Sequence, residues 1–248
     1  MALLSTGAAL VAAGELVLDE AKNELLAHLK EKVIGRLSHR RATRFFDTFI
    51  DEVRKEQDVK WISADLNDML NSIAKNETQA SVLFDAYRHV ALSASKDVGP
   101  MIIGLLTAEI VLQNRGTTEG EELLFEAAEA LRDRDFEALD SWLTWAYANN
   151  EAPAAPDQDF VVTAKTGPIE SGGISTLKMH QGEQSPLVLA KDVGPFAIKL
   201  KNLGLLGESV RPRTPGQTGA TKYLVSVSPE CQQLNLLATR ARQALHKR

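Results

Sequence analysis

The chain has 248 residues, enough for one large domain or two modest ones, and its 44% apolar and 25% charged residues exclude wholesale disorder. Its single cysteine, Cys231, excludes an internal disulfide, cannot by itself build a metal site, and leads us to expect a reducing cytoplasm. The net charge of −5 hides an asymmetry: residues 191–248 hold ten Lys/Arg against three Asp/Glu, residues 151–190 two against five, and residues 1–150 sixteen against twenty-five. A basic end on an acidic body leads us to expect an anionic partner for that end, the alternative being attraction between the two halves.

Residues 1–18 are apolar and small, with Glu15 the only charge before Asp19. No basic stretch precedes them, as a secretory signal requires, and Glu15 interrupts a run that would need about 20 apolar residues to span a bilayer. The segment reads as a bundle or oligomer helix that packs through Ala8, Ala9, Ala12, Ala13 and Gly14 and continues through Leu25, Leu26, Leu29 and Val33 to Gly35. Membrane-surface attachment through Leu3, Leu4, Leu10, Val11 and Leu18 is the alternative. The cluster Arg36, His39, Arg40, Arg41, Arg44 follows, to be read either as cations against a helix end or as a seat for an anionic partner.

Phe45, Phe46, Phe49, Ile50 and Val53 recur at helical spacing and predict a second helix. Ser63 caps a third, carrying Leu66, Met69, Leu70 and Ile73, and Asn76 with Gln79 fits a capping box for a helix with Val82, Leu83, Tyr87 and Val90. Pro100 suits the first turn of a helix that is apolar on nearly every side from Met101 to Leu112, too short to span a bilayer and therefore a central core helix. Thr118 with Glu121 makes a second capping box ahead of Leu123, Leu124 and Phe125, and Phe136, Leu139, Trp142 and Leu143 mark one more helix. The expected architecture is mainly α: an all-helical bundle over 1–149, a linker or irregular insertion over 150–189, whose short apolar runs Phe160–Val162 and Ile174–Leu177 read either as a hairpin or as a mobile stretch, and a small α+β domain over 190–248.

In that last domain Asp192–Leu206 reads as a short amphipathic helix closed by Gly204, followed by Gly207–Arg213, a turn-rich loop Thr214–Lys222, a strand Tyr223–Val227 and a helix opening at Ser228-Pro229. Helix, strand, basic loop, strand, helix is the order of a winged helix, whose recognition helix enters the major groove while the wing meets the backbone. Lys199, Lys201 and Asn202 are expected on the recognition helix, Arg211, Arg213 and Lys222 beside the wing, and Arg240 and Arg242 on the closing helix, as a surface for DNA phosphates. The five-residue echo Lys96–Pro100 and Lys191–Pro195 has a local reason: Asp caps, Gly permits a sharp entry and Pro starts the helix.

Catalytic signatures do not emerge. Gly216–Lys222 has two residues between its glycines where a phosphate-binding loop needs four, and the histidines at 28, 39, 89, 180 and 246 have no zinc-site spacing. No cofactor or metal is expected. Leu203-Gly-Leu-Leu206 and Tyr223-Leu-Val-Ser-Val-Ser-Pro229, set behind a helical body, resemble bacterial abortive-infection proteins and phage-linked regulators. The resemblance covers about a quarter of the chain, and it implies that the first helix of the module is to be sought at Leu131–Leu139 and that the process is phage defence or regulation. The leading expectation is a non-enzymatic protein that contacts duplex DNA through the winged helix and self-associates through the bundle. The alternative is a module that docks another protein.

Overall fold

The computed structural model describes residues 39–56, 73, 76–150, 158–166, 187–211 and 221–246. The expected first helix (1–35), most of the helix after Ser63, and the cations Arg36, Arg213, Lys247 and Arg248 lie outside the described residues. The chain divides into two compact units, Met1–Ala130 and Leu131–Arg248, and the described residues are mainly helical with one small antiparallel sheet among them. Among the described residues no helix is long and apolar enough to cross a membrane.

The first unit contains α1 (His39–Glu56), α2 (Glu77–Leu92), α3 (Val98–Leu112) and α4 (Glu119–Ala130). α3 has no polar face, and from Val98 to Val111 only Glu109 escapes burial. α1, α2 and α4 therefore pack around it, as an all-round apolar helix requires. α1 lays Phe45, Phe46, Phe49, Ile50 and Val53 inward, all buried. The approach is close: a Cβ added at Gly104 would stand 2.7 Å from the Phe45 carbonyl oxygen, so a larger residue would push α1 off α3.

The two capping expectations in this unit fare differently. Thr118 and Glu121 form a reciprocal box, the Thr118 amide donating to Glu121 Oε2 at 2.9 Å and the Glu121 amide to Thr118 Oγ1 at 3.3 Å. Asn76 Oδ1 accepts from the Thr78 and Gln79 amides, but Gln79 does not reach back. Its Nε2 instead donates to the Val111 carbonyl and to Asn114 Oδ1, tying the start of α2 to the end of α3.

The second unit contains α5 (Asp133–Asn149), β1 (Phe160–Thr166), α6 (Leu189–Asp192), α7 (Pro195–Asn202), β2 (Leu206–Arg211), β3 (Lys222–Val227) and α8 (Pro229–His246). The sheet order is β1-β3-β2, antiparallel throughout. The composition change at residue 149 thus falls inside this unit, because α5 supplies Phe136, Leu139, Trp142, Leu143 and Ala146 to the buried side chains. The segment read as linker or irregular insertion contributes a strand. Phe160 and Val162 alternate inward and stand opposite Val227 and Val225, so β1 is half-buried in the manner of a sheet strand.

The stretch 192–206, expected as one helix, is broken at Gly194, whose φ of 148° a side-chain-bearing residue rarely adopts. α6 ends there and α7 begins with Pro195 at its first position. α7 then closes on Gly204 at φ 76°, its amide bonding to the Lys201 carbonyl while the Leu205 amide bonds to that of Leu200, a Schellman ending. α8 opens as expected, Ser228 Oγ accepting from the Cys231 amide at 3.2 Å. It buries Cys231, Leu234, Leu237, Ala238 and Ala241. Burial, helped by the Glu230 carboxylate, pushes the Cys231 thiol up to about 12.

Candidate nucleic-acid interface

α7 packs on the unit through an inward face of Phe196, Ala197 and Leu200, all buried, with Phe196 tilted against Trp142 of α5 at 6.3 Å. The residues between, Ile198, Lys201 and Asn202, are exposed, and Lys199 is intermediate. The two lysines are not open cations. Lys199 Nζ donates to Asp135 Oδ2 at 2.7 Å, and Lys201 Nζ to Glu208 Oε2 at 2.6 Å.

The two pairs differ in setting. The Asp135 side chain is 11% exposed and also accepts from the Arg132 amide at 3.0 Å, at the start of α5. Burial raises the Asp135 pKa, but Lys199, that amide and the Arg134 charge outweigh it and hold the carboxyl below the usual carboxylate range. The Lys201–Glu208 pair is 44% and 31% exposed and joins the last turn of α7 to the middle of β2. An ion pair so placed contributes about 0–1 kcal/mol.

Arg211 ends β2 and Lys222 opens β3, and the register sets them directly opposite each other at the mouth of the hairpin. Both are exposed to solvent, and among the described residues neither meets a carboxylate. Asn202 is exposed without a hydrogen bond among the described residues. On α8 the picture reverses: Arg242 Nη1 donates to Asp140 Oδ2 at 2.8 Å, in a group where Asn235 and Thr239 also approach Asp140. Arg240 is engaged in an interaction of its own. Arg213 lies outside the described residues.

The eight expected residues therefore separate. Arg211, Lys222 and Asn202 stand open, Lys201 is held by an exposed carboxylate, and Lys199 and Arg242 are occupied by carboxylates of α5. The residues that sequence reasoning missed are those counter-ions, Asp135, Asp140 and Glu208. It also passed over Lys191, exposed on α6, and Val188 and Ile198, large apolar side chains left exposed around α6 and α7. A basic cluster of the first unit is likewise occupied: Arg40 and Arg44 both grip Asp97, and Arg41 Nη1 donates to the Ala91 carbonyl. Asp97 thus uses its carboxylate on arginines, and it makes no side-chain cap for α3.

Among the described residues no group of three or more His, Cys, Asp or Glu side chains is arranged to hold a metal ion. No protein-family model, curated protein or solved structure matches this chain.

Proposed function

We propose that residues 131–248 form a winged-helix module without catalytic chemistry that holds duplex DNA by its phosphate backbone. The order α5-β1-α6-α7-β2-β3-α8, with β1 beside β3 and β3 beside β2, supports this reading. In a winged helix one helix faces the major groove and a hairpin meets the neighbouring backbone. Here α7 is the groove-facing helix and β2–β3 the wing.

The observation that carries the binding claim is the Arg211–Lys222 juxtaposition. Like charges directly opposite on an antiparallel ladder destabilise it. A phosphate between the two would remove that repulsion and accept charge-assisted hydrogen bonds from both. Asn202 on α7 and Lys191 on α6 are exposed as well, Asn202 with the donor–acceptor pair that an adenine edge requires.

The experiment is fluorescence anisotropy with a labelled mixed-sequence duplex across a salt series. The double variant Arg211→Ala, Lys222→Ala is expected to weaken binding uniformly across sequences. It should also lower the salt slope by about two, near 0.9 for each phosphate that is no longer neutralised. An intact chain whose anisotropy does not respond to salt would overturn the reading.

A second reading, a protein-docking module, is favoured by Val188 and Ile198, which leave apolar surface around α6 and α7. It expects a protein that co-purifies with the chain and no affinity for the duplex.

A further inference from the structure

We infer that Glu208 occupies, at Lys201, the position that a DNA phosphate takes on binding, so that this carboxylate competes with the duplex and limits its affinity. The inference rests on the duplex reading above and assigns a role to a residue outside the basic set. Its basis is the contrast between the two lysines of α7. Lys199 is bound to a carboxylate that is nearly buried and that also caps α5 through the Arg132 amide. Withdrawing Lys199 would leave a desolvated charge without its partner, which is strongly unfavourable. Lys201 is bound to a carboxylate with nearly three times that exposure, and Glu208 accepts no second hydrogen bond among the described residues. Water can take over both halves of that pair, so the lysine is exchangeable.

The place of the pair matters as much as its strength. β-strand alternation sets Glu208 with Leu206 on the side of the sheet toward which α7 packs, and Arg211 on the other. Glu208 consequently stands between the helix and the wing. In a winged helix the sugar-phosphate strand that separates the helix-filled groove from the wing-contacted one runs through that interval. A phosphate arriving there meets a lysine already neutralised and a carboxylate of its own sign. Binding requires Lys201 Nζ to leave Glu208 Oε2 for a phosphate oxygen, and Glu208 to turn into solvent. No bond forms or breaks covalently, and no proton needs to move.

The test is a double-mutant cycle on the full chain, Glu208→Gln, Lys201→Ala and both together, with the same labelled duplex in a salt series. Glu208→Gln keeps the shape of the side chain and removes its charge. It is expected to tighten binding roughly 3- to 10-fold and to steepen the salt slope by about 0.9, the increment for one further neutralised phosphate. Lys201→Ala alone is expected to weaken binding, since it removes the phosphate's cation and leaves the Glu208 carboxylate facing it, and it should reduce the gain in the Glu208→Gln background. Asp135→Asn serves as the contrast and should not tighten binding.

A Glu208→Gln gain that persists unchanged without Lys201 would mean that Glu208 acts only through its general field, and the exchange would be overturned. A wild-type chain that binds with salt dependence while Glu208→Gln binds no more tightly would overturn the inference and leave the duplex reading standing. Absence of salt-sensitive binding in the wild type and every variant would overturn both.

Discussion

The helix α1 and the hairpin β2–β3 both carry concentrated positive charge, yet they present different surfaces. On α1, Arg40 and Arg44 converge on Asp97, which the chain brings from 57 and 53 residues away, and the cluster becomes a structural clamp on the start of α3. Across the hairpin, Arg211 and Lys222 face each other with no carboxylate between them among the described residues. Both places carry neighbouring basic residues. What separates them is whether folding delivers a carboxylate, so positive charge in a sequence becomes positive surface only where the fold fails to neutralise it.

The comparison is broken most directly at Asp97. Asp97→Ala is expected to leave Arg40 and Arg44 beside each other without their shared acceptor, and to destabilise the first unit by about 2–3 kcal/mol, read from urea or thermal unfolding. The same residue sets a pH dependence. Burial raises the Asp97 pKa, but the hydrogen bonds and charges of Arg40 and Arg44 outweigh it, so the folded value lies below the unfolded one. Glu121, held by Arg115 and Thr118, and Asp135 are displaced in the same direction. Their stabilisation is complete above the ordinary carboxylate range, about pH 4, and is lost as pH falls through the lowered folded values. Asp97→Asn should therefore flatten the acid limb of a stability–pH curve and leave its alkaline limb unchanged.

A smaller effect is expected at Asp135, where Asp135→Ala removes both the Lys199 pair and the acceptor for the Arg132 amide. We expect a loss of about 1–2 kcal/mol in the second unit. The smallest belongs to Glu208: Glu208→Gln should change stability by less than about 0.5 kcal/mol, because its pair with Lys201 is half in water. If unfolding midpoints placed Glu208 above Asp97 or Asp135, burial would not be the property that divides clamp from exchangeable pair.

The parts of the fold that were legible in the sequence are those whose cause is local. Phe45, Phe46 and Phe49 declare a buried helix face through spacing alone. Thr118 with Glu121, and Ser228 before Pro229, declare helix starts because the capping groups are three residues from the amides they serve. Gly204 declares the end of α7. What escaped were features whose cause lies far along the chain. β1 offers only Phe160 and Val162 as alternating apolar residues, and its partner β3 lies well downstream, Phe160 pairing with Val227. At Gly194-Pro195 the start of α7 was legible from the echo of Lys96–Pro100, and what escaped was the separate helix α6 ahead of it.

The candidate interface divides along the same line. Arg211 and Lys222 could be named from the hairpin pattern, and their direct opposition follows once the strands pair. That Lys199 is spoken for could not be read, because Asp135 is 64 positions away and is brought to it by the packing of α5 and α7, where Phe196 meets Trp142. Arg242 and Asp140 are separated by 102 positions and were hidden for the same reason.

The sulfur of Cys231 gives the molecule a clock. A thiol must be both ionised and reachable to be alkylated, and here it is neither while α8 stays packed. Iodoacetamide added at mildly alkaline pH should consequently label the chain no faster than α8 lifts away, and the labelling rate should rise with urea in step with unfolding of the second unit. Leu234→Ala, which loosens the same helix, should speed it. The frequency with which this unit opens can thus be counted from its own side chain, without any probe introduced by design.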